Sequence, residues 1–283
     1  MHVNVAKSAG FCFGVKRALD IAFRTASEGK NVFMLGDIVH NETVVKEIEK
    51  AGIKKISKLK PASGEVLLTR AHGISKATFS KAKRLGYNII DATCPMVKEI
   101  HKVAREMEEK GSKIIVIGDK KHDEVRGIIG QLKEKALVID GLKSIPLPKI
   151  KSIKNACVVV QSTQNLENVL KIVEALKKYI PALKFFNTIC NPTRTKQEEI
   201  KSLPLKNDVM IIIGSKNSAN TKRLYEISRK INKRSWWVNS KEEIKSAWFK
   251  GAKNIGITAG ASTPEVTIQE IIKQVKGESF KLS

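Results

Sequence analysis

Acidic residues are scarce. Aspartate and glutamate number 28 against 52 lysines and arginines in 283 residues, a net charge of +24. Such an excess suits nucleic acid, an anionic substrate or an acidic protein partner. Aromatic residues are scarce too, at 5%. The basic residues are spread along the chain, and no RRM signature, zinc-finger spacing or basic tail occurs, so a nucleic-acid role has no motif behind it. Only four cysteines are present: Cys12, Cys94, Cys157 and Cys190. That is too few for the disulfide framework of small secreted domains, which leaves free thiols, ligands or nucleophiles. No apolar run reaches the roughly 18 residues of a membrane helix, and Met1-His2-Val3-Asn4 opens no signal peptide. The expectation is a cytoplasmic protein with no membrane span.

What is present is a repeat. Three segments align without gaps on their cysteines, from Cys12 to Asp37, Cys94 to Asp119 and Cys190 to Ser215. Each reads cysteine, helix, turn, short apolar strand, glycine. Cys12 to Gly36, Cys94 to Gly118 and Cys190 to Gly214 are each 24 residues apart. A shared offset in three otherwise different segments marks an internal repeat longer than the roughly 20–50-residue periods of solenoids. Pro95 after Cys94 marks a helix start, where free N–H groups and the helix dipole favour a thiolate. That helix has apolar residues at Val97, Ile100, Val103, Ala104 and Met107 and should stop at Gly111.

The strands Val32–Leu35, Ile114–Ile117 and Val209–Ile213 are continuous apolar runs, as in parallel sheets covered on both faces. After each glycine comes a polar cluster: 36–41, 118–124 and 214–220. A second strand then ends in a second cluster: Thr69–Gly73, Gln161–Thr163 and Thr258–Ser262. A third strand delivers the next cysteine. The third repeat lacks that strand, which Met1–Ala6 supplies from the N-terminus. The reading is an α/β protein of three pseudo-equivalent small domains with parallel sheets, arranged as a trefoil. Its domains are residues 13–95, 96–190, and 191–283 with 1–12. Open parallel sheets bind ligands at the carboxyl ends of their strands. All the clusters should therefore meet in one central cavity.

Cys12, Cys94 and Cys190 would reach that centre together, whereas Cys157 starts an apolar strand out of register and reads as a buried thiol. Three thiolates can hold zinc with an open position or an iron–sulfur cluster. Of the five histidines, His40, His72 and His122 fall in strand-end clusters; His2 and His101 read as terminal and helix-surface residues. With Ser218, Asn220, Ser262 and the helix N-termini, they offer donors to a phosphate or diphosphate. Glu124 is the one carboxylate beside a histidine in the predicted cavity, and burial there would raise its pKa and make it a general acid. Ser162 and Thr163 could relay a proton, or cap the helix containing Leu166, Val169 and Leu170.

These residues resemble the 4-hydroxy-3-methylbut-2-enyl diphosphate reductase family. The resemblance is carried by Gly10-Phe11-Cys12-Phe13-Gly14-Val15, Val39-His40-Asn41, Arg70-Ala71-His72-Gly73, Asp91-Ala92-Thr93-Cys94-Pro95, His122-Asp123-Glu124-Val125, Gln161-Ser162-Thr163-Gln164, Cys190-Asn191-Pro192-Thr193, Gly214-Ser215-Lys216-Asn217-Ser218 and Gly260-Ala261-Ser262-Thr263-Pro264. These motifs span nearly the whole chain in family order. The resemblance implies one [4Fe–4S] cluster per chain on Cys12, Cys94 and Cys190, with one iron left for the substrate. It implies a diphosphate held by His40, His72, Ser218, Asn220 and Ser262 with His122 nearby, and protons from Glu124 with Thr163. The implied reaction is reductive removal of the substrate's hydroxyl to give isopentenyl and dimethylallyl diphosphates, the last step of the methylerythritol phosphate isoprenoid route. The basic surface would steer an acidic electron donor of the flavodoxin or ferredoxin type. The expected enzyme is a monomer that binds neither nucleic acid nor membrane. Three positions depart from the family pattern: Asp123 replaces a common proline, Ala219 a common serine and Ser162 a common threonine. The alternatives are a zinc enzyme acting on a phosphorylated substrate and a basic nucleic-acid-binding protein.

Overall fold

The computed structural model describes residues 2–29 and 31–282. Its strands form three four-stranded sheets in which every pairing is parallel. The chain divides into two compact units. One comprises Met1–Val15, His40–Val44 and Asn191–Ser283; the other comprises Lys16–Val39 and Val45–Cys190.

The repeat is visible element by element. After β1 (His2–Val5), the first repeat contains α1 (Phe13–Ser27), β2 (Val32–Leu35), α2 (Glu42–Lys50), β3 (Lys54–Ile56), β4 (Val66–Leu68), α3 (Lys76–Arg84) and β5 (Asn88–Ile90). The second contains α4 (Pro95–Glu109), β6 (Lys113–Ile117), α5 (Asp123–Ile129), β7 (Leu137–Ile139), α6 (Leu147–Lys151), β8 (Asn155–Val160), α7 (Leu166–Lys177) and β9 (Ala182–Phe185). The third contains α8 (Asn191–Ser202), β10 (Val209–Ile213), α9 (Ala219–Ile231), β11 (Ser235–Val238), β12 (Asn254–Ala259) and α10 (Glu265–Leu282). The sheet orders are β3-β2-β4-β5, β7-β6-β8-β9 and β11-β10-β12-β1. The N-terminal strand β1 thus takes the place held by β5 and β9 elsewhere.

The apolar runs are continuous because both faces of these strands are covered. Successive side chains of a strand point to opposite faces. In the second sheet Ile115, Ile117, Val158 and Val160 pack with Val169, Ile172, Val173 and Leu176 of α7. The alternate residues Ile114, Val116, Cys157 and Val159 pack with Ile100, Ala104 and Met107 of α4 and Val125 and Ile128 of α5. The third sheet repeats the pattern. Ile211, Ile213, Ile255 and Ile257 meet Ile268, Ile271 and Val275 of α10, while Met210 and Ile212 meet Ile200 of α8 and Leu224 and Ile227 of α9.

The recurring glycines have a common reason. The N–H groups of Gly36, Gly118 and Gly214 donate to Ile56, Ile139 and Val238, the last residues of the edge strands β3, β7 and β11. Beside each glycine lies a side chain from the neighbouring strand end. A Cβ on Gly118 would come within 2.9 Å of Gln161, and one on Gly36, which has φ +75°, within 3.2 Å of Arg70. A larger residue would displace the strand-end cluster.

Candidate functional site

Each repeat presents its cysteine in the same way. Cys12, Cys94 and Cys190 immediately precede α1, α4 and α8. Cys94 is the N-cap of α4, with Pro95 as first helical residue. The cysteine N–H groups donate to Ala261 (3.1 Å), Ala71 (3.0 Å) and Ser162 (3.2 Å) respectively. Each acceptor carbonyl belongs to the second strand-end cluster of the same sheet. All three side chains are half-buried, and no disulfide joins any of the four cysteines. Each of the three is a thiol at the start of a helix, a donor whose chemistry suits an iron–sulfur cluster and suits zinc equally well. Cys157 differs. It is fully buried in the core of the second sheet, where desolvation pushes its thiol up to about 11.

The acid lies at the carboxyl end of the second sheet. Glu124 is 1% exposed, on the first turn of α5. It accepts hydrogen bonds from Ser162 N (2.6 Å) and Ser162 Oγ (2.8 Å). Burial pushes its pKa up to about 7 against the lowering effect of those two bonds. Its own N–H donates to Nδ1 of His122 at 3.1 Å, which caps the helix. An Nδ1 that accepts leaves the proton of the neutral ring on Nε2, so His122 offers a donor from its far edge. The His122 ring meets that of His72 edge-to-face, with centroids 5.4 Å apart. Thr163 is half-buried and accepts from Gln161 Nε2 at 3.0 Å. The hydroxyl bonded to Glu124 is therefore that of Ser162, not Thr163.

The other predicted ligand-binding residues lie in the unit that contains the third sheet. Ser218 caps α9 by accepting from Thr221 N at 3.3 Å. Ser262 Oγ donates to the main-chain oxygen of His40 at 3.2 Å. Asn220 is 4% exposed, yet neither amide atom has a hydrogen-bond partner in the protein. Leaving such a group unsatisfied costs about 1–3 kcal/mol, which a polar ligand would recover.

Similarity to known proteins runs along nearly the whole chain. The family described as LytB protein matches residues 3–276. The chain belongs to the LytB family. It is 39% identical over 277 residues to the 4-hydroxy-3-methylbut-2-enyl diphosphate reductase of Geotalea daltonii, covering 98% of this chain and 97% of that one. The reductase of the same name from Caldanaerobacter subterraneus subsp. tengcongensis is 39% identical over 281 residues, with coverage of 98% and 97%. A solved structure of (E)-4-hydroxy-3-methyl-but-2-enyl diphosphate reductase, described as the terminal enzyme of the non-mevalonate pathway, superposes with TM-score 0.71 at 36% identity, covering 98% of this chain and all of the other. The Plasmodium falciparum E-1-hydroxy-2-methyl-but-2-enyl-4-diphosphate reductase gives TM-score 0.89 at 28% identity, covering 96% and 87%.

Within this LytB chain, two of the three positions expected to depart from the family pattern have a local role, and nothing in the structure explains Ala219. Asp123, where proline is common, pairs with Arg70 at 2.7 Å and so joins the loop of His72 to the start of α5. Ser162 supplies both hydrogen bonds to Glu124. Ala219 is a buried first residue of α9. The capping of α7 falls to Asn165, which accepts from Asn168 N at 3.0 Å, rather than to Ser162 or Thr163. The structure corrects one residue and adds another. His101 is buried at 6% exposure, contrary to the helix-surface expectation. Lys196 is buried at 2% exposure and donates to the carbonyls of Ser8, Gly10 (3.0 Å) and Ala259 (3.2 Å), holding the loop that leads to Cys12. Nothing in the local sequence of α8 separates Lys196 from the surface lysines around it.

Proposed function

We propose that this LytB protein reductively dehydroxylates (E)-4-hydroxy-3-methylbut-2-enyl diphosphate, giving isopentenyl and dimethylallyl diphosphates and closing the methylerythritol phosphate route. The observation that carries this reading is Glu124. It is a buried carboxyl whose pKa of about 7 leaves a large protonated fraction, about half, at neutral pH, at a strand end next to His122. The reaction breaks the C–O bond at carbon 4 and consumes two electrons and two protons. One proton leaves with the oxygen as water, and the other lands at one of two carbons, which decides the product.

Cys12, Cys94 and Cys190 would hold a [4Fe–4S] cluster that, when bound, supplies electrons and a Lewis-acidic iron. The shared helix-start position of the three thiols supports this assignment. Glu124 holds the transferable proton, with Ser162 fixing its carboxyl and Thr163 next to it in the same cluster. The diphosphate is assigned to His40, His72, His122, Ser218, Asn220 and Ser262. The unsatisfied amide of Asn220 supports that assignment. We assign the repeats to residues 13–95, 96–190, and 191–283 with 1–12, on the strength of their shared strand order.

Electrons would come from an acidic flavodoxin- or ferredoxin-type donor drawn by the net charge of +24. We place the enzyme in the cytoplasm as a monomer; no helix among the described residues is long and apolar enough to cross a membrane. Anaerobically purified protein should be brown, contain iron and sulfide, and convert the diphosphate with a chemical reductant. Colourless protein that is fully active, or zinc without iron, would refute the cluster assignment. Donor-driven turnover should fall steeply with ionic strength, and a flat response would count against the acidic donor.

A further inference from the structure

His101 occupies a joint between three elements. It projects from α4, the helix that begins after Cys94, and its side chain is 6% exposed. Its ring edge fills a hollow between two glycines. A Cβ on Gly73 would lie 2.7 Å from His101 Cε1 and 3.3 Å from Nε2. A Cβ on Gly127 would lie 3.5 Å from the same Nε2 and 3.1 Å from the carbonyl oxygen of His72. Gly73 follows His72 and has φ +77°, a conformation that favours glycine. Gly127 lies on α5, three residues beyond Glu124. His101 Nε2 has no hydrogen-bond partner, so close packing rather than a directed bond seats the ring.

The loop of His72 lies against α5 for its whole length. Arg70 pairs with Asp123 at one end. At the other, Gln131 Nε2 donates to Ile74 O at 2.7 Å, and Lys76 N donates to Gly130 O at 3.0 Å. A Cβ on Gly130 would fall 2.3 Å from that of Ser75. At Gly73 and Gly130 the seam has no room for a methyl group, at Gly127 only a tight one, and His101 closes it from the α4 side. The ring also lines a cavity of about 430 Å³ with Arg105, Lys98 and Asp91.

We infer that His101 is a positioning residue for the reaction: it sets the loop carrying His72 against the helix carrying Glu124, and both against the helix that starts at Cys94. The inference rests on the function proposed above, in which His72 holds substrate and Glu124 delivers the proton. His101 touches neither reacting group itself.

Two variants of the holoenzyme test it from opposite sides. His101→Ala opens the seam and should raise KM about tenfold and lower kcat about tenfold per cluster, because small misplacements of positioned groups are costly in rate. Gly127→Ala adds a methyl that the His72 backbone must yield to by a few tenths of an ångström. It should raise KM about three- to tenfold while the melting temperature holds or rises, since alanine suits a helix better than glycine. A purely structural role predicts the reverse pattern, a lower melting temperature with unchanged KM and kcat. Unchanged kinetics in both variants of an active enzyme would overturn the inference alone. If His101→Ala does not fold, an unchanged KM in Gly127→Ala still overturns it. An inactive wild-type holoenzyme would overturn the proposed function and the inference with it.

Discussion

The strand ends of the first and second sheets treat a carboxyl group in opposite ways. Asp91, just past β5, is 40% exposed, and its hydrogen-bond donors outweigh what desolvation remains. Lys98 pairs with it at 2.6 Å, Thr69 Oγ1 donates at 2.9 Å and Thr93 N at 3.0 Å. Together they hold its carboxyl down to about 2. Glu124 is buried completely, with Ser162 N and Oγ as its hydrogen-bond donors, and its pKa climbs to about 7. The same functional group thus becomes a fixed structural anion at one strand end and a proton reservoir at the other. The difference lies in donor count and solvent, not in the residue type.

Removing the reservoir should have the largest effect. Glu124→Gln keeps the shape and the Ser162 contacts but carries no transferable proton. Turnover should fall by about 10²–10⁴, with the visible absorption of the holoenzyme unchanged. Steady-state rates under anaerobic conditions would show it, and surviving turnover would remove Glu124 from its role.

Titration sharpens the contrast next. The protonated form of Glu124 is lost as pH rises through about 7, so the acid-dependent rate should decline across that range. Ser162→Ala removes a bond that stabilises the carboxylate and should move this decline to higher pH. Stability follows the same sign. With a folded pKa raised above the usual 4.5, the contribution of Glu124 is full below that value and is lost as pH rises towards 7. Chemical denaturation from pH 4.5 to 7 should therefore be flatter in Glu124→Gln than in the wild type.

Asp91→Asn tests the other member of the pair. Losing these bonds at an exposed site, where water screens the Lys98 pair, should cost about 1 kcal/mol, read from the urea midpoint at pH 7. Because the folded pKa lies below the usual 3.8, the wild-type contribution is present above that value. It disappears as pH falls towards 2, and the variant should lack this acid-side loss. The smallest effect belongs to Arg70 and Asp123, whose side chains are 18% and 21% exposed. A double-mutant cycle with Arg70→Ala and Asp123→Ala should give a coupling near 0.5–1 kcal/mol. Zero coupling would mean that the pair does not join the His72 loop to α5.

Much of this arrangement is legible in the residues alone. The helix-heading cysteines, the buried strands β2, β6 and β10 and the strand-end clusters all have local signatures: a shared spacing, continuous apolar runs, and polar residues behind a glycine. The edge strand β3 escaped because it lacks such a run. Lys54 and Lys55 of β3 are exposed, and pairing with β2 rather than side-chain pattern makes that segment a strand. His101 escaped for a related reason. On helical periodicity it sits beside the buried Ile100 and Ala104, but an isolated histidine there reads as a surface residue until Gly73 and Gly127 are seen to make a hollow for it. Ser162 and Thr163 were adjacent candidates, and only the fold decides which hydroxyl meets Glu124.

By itself the sequence determined the repeat, the class of fold, the three thiols and the set of chemical groups available, because each follows from spacing and residue type along the chain. The tertiary structure decided which of those groups carry charge and which keep a proton. Burial and hydrogen-bond donors set a pKa, and both come from residues distant in the chain: Ser162 for Glu124, Thr69 for Asp91, and Gly127 as a wall of the hollow for His101.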